Sequence, residues 1–187
     1  QKVCEAFEAR YVNQRYPFFG GAFRTGIEEA NNDIFLILDG DGSHNPKYIP
    51  AIYDAFILGS DIVIGSRYVK GGSTADSKMS VAMSKVLNFC FRIVLGVKVK
   101  DVSTDYRMYD TKQLKKVSLK CKNYDILEEV IMKMKLNNKK LCLREVPISF
   151  EKRMYGESKR QLFKFICGYI GTLFRMIGMR ISHAFSR

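Results

Sequence analysis

Two short apolar runs constrain this chain more than anything else in it. Residues 34–38 (IFLIL) and the centre of residues 61–65 (DIVIG) offer no polar residue to turn outward. Continuous runs of this length suit strands covered on both faces, rather than the alternating strands of a half-solvated sheet. Between them Asn45-Pro46 reads as a helix start, with Asn at the N-cap and Pro in the first turn. That helix is expected to run to about Leu58 and stop at Gly59. Strand, helix and strand in this order predict an α/β domain with a partly parallel sheet.

The remaining segments fit that frame. Residues 20–31 (GGAFRTGIEEAN) read as a glycine-led helix with an acidic end, and residues 68–77 (YVKGGSTADS) as a loop. A helix is expected over residues 79–95 and an amphipathic one over 125–136. Residues 101–110 (DVSTDYRMYD) look polar and turn-like. Residues 141–150 (LCLREVPISF) look strand-like and lead into the loop EKRMYGESKR.

A length of 187 residues suits one domain with a short appendage. The formal net charge of +12 points to anionic partners such as phosphorylated substrates, nucleic acid or an anionic membrane surface, or simply to solubility. The cysteines (Cys4, Cys90, Cys121, Cys142 and Cys167) are odd in number and widely spaced, which gives neither a disulfide framework nor a zinc site. His44 and His183 are the only histidines, so a His-rich metal site is excluded. No uninterrupted apolar run reaches the length of a bilayer span.

The first apolar run ends in Asp39-Gly40-Asp41. In open α/β sheets ligands sit just beyond the carboxyl ends of strands. Two hard oxygen donors this close suit Mg²⁺ or Mn²⁺, with phosphate oxygens and water filling the other positions. The plain alternative is an Asp-Gly turn. Arg67 closes the second run, Arg107 sits in DVSTDYR, and Arg153 and Lys159 sit in the loop after the last strand. Arginine can grip a phosphate with two parallel hydrogen bonds, and lysine acts as a point charge. Each of these cations taken alone also fits a solvated surface charge.

FLILDGDGSHNP, GSRYVKGG, DVSTDYRMY and VPISFEKRMYGESK, in that order, resemble the family 2 glycosyltransferases. Within the family they are most similar to the dolichol-phosphate mannosyltransferase group and the bacterial polyprenyl-phosphate glycosyltransferases. GGAFRTGIEEA resembles the same group upstream, so the likeness covers most of residues 18–160. It implies a GT-A fold, a Rossmann-like mixed and mostly parallel sheet flanked by helices. It also implies inverting, metal-dependent transfer from a nucleotide sugar (GDP-mannose or a UDP-hexose) to a dolichyl or undecaprenyl phosphate. By the same resemblance, Asp39 and Asp41 match the DxD pair that holds the metal against the donor diphosphate, and Ser43 a neighbouring polar position. Arg67 matches a residue assigned to the acceptor phosphate, and Ser84 and Arg107 are expected to join it there. Arg153 and Lys159 match the segment that closes over the phosphates.

The chain departs from the pattern in three ways. The family's opening nucleotide-binding strands, V-x-I-P-x-Y-N-E and D-D-G-S, are absent, so the N-terminal part of the donor site is expected to be missing from a chain that opens at Gln1. Asp105 stands where the motif D-x-x-S-G-F-R has glycine. Aligning the serine of the acceptor-side helix with Ser84 puts Ser80 where an arginine is usual, with Lys78 as its substitute for the acceptor phosphate.

Residues 1–160 are therefore expected to form the glycosyltransferase domain, and residues 161–187 an amphipathic, membrane-associated helix. On a helical wheel Lys164, Gly168, Gly171, Arg175 and Gly178 fall within an arc of roughly 80°. Leu162, Ile166, Ile170, Leu173, Ile177 and Ile181 lie opposite. This is the pattern of an in-plane helix at the cytoplasmic face of a membrane, or of a helix packed on its own domain or on an anchoring or homo-oligomeric partner. Two other functions compete: transfer to a polysaccharide acceptor, and a non-catalytic membrane-bound partner. A nucleic-acid-binding role lacks any recognisable motif.

Overall fold

The computed structural model describes residues 2–153 and 162–185. A short helix α1 (Lys2–Ala6) precedes α2 (Phe18–Glu29). The glycines that open α2 serve close packing. Gly20 N–H donates to the Lys122 carbonyl at 2.8 Å, and a side chain at Gly20 would collide with the Cys121 carbonyl.

Next come β1 (Ile34–Ile37), a 3-10 turn over Pro46–Tyr48, α3 (Ile49–Ile57) and β2 (Ile62–Ser66). The Asn45 side chain accepts from Lys47 N–H at 3.0 Å, capping the turn as the sequence predicts. The chain continues through β3 (Ser73–Thr74), α4 (Lys78–Leu95), β4 (Arg107–Asp110), α5 (Thr111–Lys115), α6 (Ile126–Asn137), β5 (Leu143–Pro147), β6 (Ser149–Phe150) and α7 (Leu162–Phe185).

The main sheet has the order β1-β4-β2-β5, and β3 pairs with β6 in a small second sheet. β2 and β5 are parallel, whereas β4 is antiparallel to both β1 and β2. Three of the four strands thus run one way, and β4 is inserted in reverse between β1 and β2. Its first residue, Arg107, pairs with Ile37 at the end of β1 and with Ile64 in the middle of β2, and Gly65 N–H donates to the Tyr106 carbonyl just ahead of it at 2.8 Å. The start of β4 therefore lies at the same sheet edge as the ends of its neighbours.

Two expectations are corrected here. Residues 107–110 are not part of a turn but a central strand, because Tyr106 and Met108 fill one face of the sheet while Tyr109 fills the other. β1, expected to be covered on both faces, is half-buried throughout, since it is the edge strand of the described sheet. β2 is buried along its whole length, as expected.

Layers on both faces account for that burial. Ile62, Ile64 and Tyr109 join a large core formed with α2, α4, α6 and α7. Val63, Tyr106 and Met108 meet Ile52 and Ile49 of α3 on the other face. Burying each such aliphatic side chain stabilises the fold by roughly 1.5–3 kcal/mol. α6 is less amphipathic than its sequence suggests: Ile126 to Met132 are all buried, together with Glu128 and Glu129. It is overlaid by α4, α5 and α7.

α7 packs on α4 and α6 through Tyr169, Thr172 and Met176, which are buried, and through Leu173. Leu173 therefore belongs to the inward face, not to the outer stripe the wheel gave it. The apolar stripe that remains outside is Ile170, Phe174, Ile177, Ile181 and Phe185. Arg175, on the wheel's basic arc, pairs with Asp125 at 2.7 Å. α4 carries a matching outer stripe of Met79, Val86, Phe89 and Ile93.

Candidate active site at the strand ends

The loop after β1 is organised by its own side chains. His44 Nδ1 accepts from the backbone N–H of Asp39 at 3.0 Å. Asp41 Oδ1 accepts from Ser43 N–H at 3.0 Å and from Ser43 Oγ at 2.5 Å. Gly42, at φ 84°, supplies the left-handed turn between them. Glu151 N–H donates to the Ser43 carbonyl at 3.0 Å, which lays the chain after β6 across this loop. That crossing brings Arg153 Nε to 3.1 Å from Asp41 Oδ2. Asp41 is thus satisfied on both oxygens, and Asp39 is left facing inward.

Asp39 faces His44 and Asp105, and one potential ligand atom from each lies within 4.8 Å of the others. Burial first, and then the Asp105 carboxylate, push Asp39 up to about 7. Burial would raise Asp41 as well, but the Ser43 hydrogen bonds and Arg153 outweigh it and hold that carboxyl below its usual value. Burial drives His44 down to about 4, so the imidazole is neutral at pH 7. With Nδ1 accepting, the proton sits on Nε2, which points at Asp105 Oδ1 from 3.7 Å. A protonated Nε2 has no lone pair for a metal. His44 therefore orients the carboxylates and does not ligate.

Asp105 Oδ2 is buried without a hydrogen-bond partner among the described residues. An unsatisfied buried carboxylate oxygen beside a carboxyl whose ionisation is suppressed is a cluster that a divalent cation would complete. All the donors are hard oxygens, the set that suits Mg²⁺ or Mn²⁺.

Arg67, just past β2, is clamped by Asp101. Its Nε and Nη2 reach the two carboxylate oxygens at 2.8 and 2.9 Å, and its backbone N–H makes a third bond at 3.1 Å. Burial alone would lower the Arg67 pKa, but Asp101 outweighs it and the guanidinium stays charged. Nη2 also meets Ser103 at 3.0 Å and Ser84 at 3.5 Å. On the other side Nη1 is only loosely paired, with Asp76 at 3.6 Å.

A cavity of about 870 Å³ joins these groups. Asp39 and Asp105 line it, then Arg67, Ser84 and Ser103, and beyond them an apolar slot between α4 and α7 formed by Leu87, Cys90, Tyr169 and Leu173. Ser80 lines the same cavity. Lys78 is exposed in the first turn of α4 and is not part of this wall. It lies about 200° around the helix from Ser80, which corrects its assignment as a substitute phosphate ligand.

Arg107 is corrected too. Its side chain is fully buried and donates to the carbonyls of Thr104 at 2.6 Å, Leu127 at 3.0 Å and Val102 at 2.5 Å. It ties β4 to α6 and is spent on structure, not on an acceptor. Lys159 lies outside the described residues. Three site residues escaped sequence reading: Asp101, which positions Arg67, Asp105, which faces Asp39, and His44, which sets the carboxylate loop. The aspartates of DVSTD were the available signal, masked by reading that stretch as a turn.

Known proteins resemble the chain as follows. The family model described as glycosyl transferase family 2 matches residues 1–118. A polyprenol monophosphomannose synthase from Mycolicibacterium smegmatis is 32% identical over 147 residues, 75% of this chain and 55% of the relative. An undecaprenyl-phosphate mannosyltransferase from Micrococcus luteus is 33% identical over 147 residues, 75% of this chain and 59% of the relative. A dolichol-phosphate mannosyltransferase from Pyrococcus furiosus is 34% identical over 155 residues, 81% of this chain and 43% of the relative. The chain thus spans about half the length of these relatives. Among solved structures, glucosyl-3-phosphoglycerate synthase from Mycobacterium tuberculosis, in complex with Mn²⁺ and UDP-glucose, superposes with a TM-score of 0.69 at 16% identity. That match covers 95% of this chain and 64% of the other, and shows a shared fold.

Proposed function

The chain belongs to glycosyltransferase family 2 and carries its GT-A fold, and from that premise we propose that its protein moves a sugar from a nucleotide-sugar donor to a polyprenyl phosphate, with inversion. One observation carries the acceptor class. The cavity that begins at Asp39 and Asp105 passes the Arg67 guanidinium and ends in an apolar slot between two helices. A lipid phosphate needs such a path, with cations for its head and a dry groove for its chain. A saccharide acceptor would have little use for the slot. The mannosyltransferase relatives, named for lipid-phosphate substrates, support the same class.

In this reading Asp39, Asp41 and Asp105 would hold Mg²⁺ or Mn²⁺, with Ser43 fixing the Asp41 carboxylate. A divalent ion there would offset the charge that grows on the departing nucleoside diphosphate. Arg153, resting on Asp41, is a second cation for that charge, with Lys159 following it in sequence. Arg67, held rigid by Asp101, presents its loosely paired Nη1 edge to the acceptor phosphate, with Ser84 on the Nη2 side. That phosphate is already an anion, so it needs positioning more than a general base. His44, neutral and committed to the Asp39 backbone, takes no proton.

The outer stripes of α4 and α7 fit a protein lying on the cytoplasmic face of a membrane. Among the described residues no helix is long and apolar enough to cross one. The test is a donor and acceptor screen on the full-length protein in membranes, with and without polyprenyl phosphate and Mg²⁺ or Mn²⁺. Transfer to lipid phosphate that needs the metal supports the reading. Transfer to a polysaccharide with every lipid phosphate inert would overturn it, as would full turnover by Asp39→Ala and Asp41→Ala.

A further inference from the structure

A second cavity, of about 570 Å³, opens where the C-terminal ends of α4, α6 and α7 converge. Lys135, Lys139, Arg180 and His183 line it, and among the described residues no carboxylate does. Its remaining wall is apolar, built from Leu95, Met132 and Leu136. Nothing in the proposed transfer reaction uses this place.

Part of the positive charge caps a helix. Lys135 Nζ donates to the Gly96 carbonyl, and Arg180 Nη1 donates to the Ile93 and Val94 carbonyls at 3.2 and 3.1 Å. Cations near the C-terminal end of a helix are favourable. Here two are pressed together, and burial first, then the Arg180 charge, hold Lys135 below its usual pKa. Lys139 adds a third cation at the rim, and His183 Nε2 is buried in the wall with no hydrogen-bond partner among the described residues.

Gly96 lets these cations close on the end of α4. It sits at φ 64°, and a Cβ there would stand 3.2 Å from Lys135 Nζ and 3.8 and 3.9 Å from the terminal nitrogens of Arg180. Three cationic nitrogens of two side chains thus gather against one bare Cα, at the edge of a cavity that both side chains line. Beside them Ile93 of α4 and Ile181 and Phe185 of α7 are exposed, so the cationic cavity is continuous with the outer apolar stripes.

We propose that this cavity binds the headgroup phosphate of an anionic membrane phospholipid, with the lipid's glycerol and upper chain on the Leu95–Met132–Leu136 wall. The charge, the absent carboxylates and the bordering apolar stripes all match that one occupant. The proposal rests on the reading that α4 and α7 face a membrane, but not on the transfer reaction.

The test is co-sedimentation of the full-length protein with phosphatidylcholine vesicles and with vesicles holding phosphatidylglycerol as roughly a third of the lipid. Lys139→Gln is compared with Lys112→Gln, because Lys112 pairs with Asp33 on α5 and lines neither cavity. The expected result is tighter binding to the anionic vesicles and a loss of roughly fivefold for Lys139→Gln on those vesicles alone. Lys112→Gln should lose less. Arg180→Gln should lose more, with its melting curve taken alongside because it also uncaps α4. Equal binding to both vesicles, or equal losses for the two lysine variants, would overturn the site while leaving the membrane-facing stripes in place. Binding to neither vesicle would overturn the membrane reading and the site together. Saturation by inorganic phosphate without preference for anionic vesicles would overturn the lipid as occupant.

Discussion

The imidazole of His44 is fastened to the backbone N–H of Asp39, five residues earlier, through a 3.0 Å bond to Nδ1. That one bond fixes the tautomer, turns Nε2–H toward Asp105 and shapes the carboxylate loop. Replacing it should therefore disturb metal binding without removing any ligand. His44→Ala is expected to weaken Mn²⁺ affinity by about tenfold or more, read by titration calorimetry on the donor-free protein. Unchanged affinity would mean that the loop holds its shape unaided.

The two ends of this bond titrate in opposite senses. The folded pKa of Asp39, about 7, lies above its ordinary 3.8. The folded state holds that proton more tightly, so the stabilisation present at low pH is lost as pH rises toward 7. His44, at about 4 against 6.5, binds its proton less tightly when folded, so its contribution is lost as pH falls from 6.5 to 4. Between pH 4 and 6.5 the two oppose each other. His44→Gln should expose the Asp39 slope, with a metal-free melting temperature that falls as pH rises from 4 to 7. Asp39→Asn should shift the slope the other way relative to the wild type, toward stability gained as pH rises from 4 to 6.5. Adding Mn²⁺ should raise the melting point most near pH 8, where Asp39 is ionised.

Glu128 gives a separate, metal-independent slope. It is fully buried, both of its carboxylate oxygens lack a hydrogen-bond partner among the described residues, and burial pushes it up to about 8. Its folded pKa is raised, so stability should fall as pH climbs through 8. Glu128→Gln should remove that decline and raise the melting temperature at pH 9. A variant with the wild-type pH profile would contradict the burial argument.

Arg107 and Arg67 separate structure from recognition. Arg107→Met removes the side-chain donors to the Val102, Thr104 and Leu127 carbonyls and should destabilise by roughly 3–5 kcal/mol in urea titration. A normally stable variant with only a raised acceptor KM would restore its assignment to the acceptor. Arg67→Gln should keep the donor KM and raise the acceptor KM by roughly thirtyfold, the loss of one charge-assisted contact. If both Michaelis constants rose together, Arg67 would not be specific to the acceptor.

How much of this was legible depended on where each side chain's partners lie in the sequence. β1, α3 and β2 announce themselves because apolar runs and the Asn45-Pro46 cap are local signals. Asp39, Asp41 and Arg67 follow from them, since each closes a strand. β4 was not legible: four residues long, with an arginine at its head, it looks solvated until α6 is laid over it. The role of Arg107 was misread for the same reason, because its three acceptors include a carbonyl 20 residues away. Asp101 clamps an arginine 34 positions earlier, a relation that no window of sequence displays.

The reversed insertion of β4 has a consequence for how the protein opens. β1 and β2 share no hydrogen bonds; each is held to β4. Asp105, just ahead of that strand, lies between the aspartate that follows β1 and the arginine that follows β2. Withdrawing β4 would part all three groups in one event, so no partly built site can persist in a protein whose sheet has begun to come apart. The amides of β1 and β2 that bond to β4 should then exchange with deuterium together, at the free energy of a single cooperative unit.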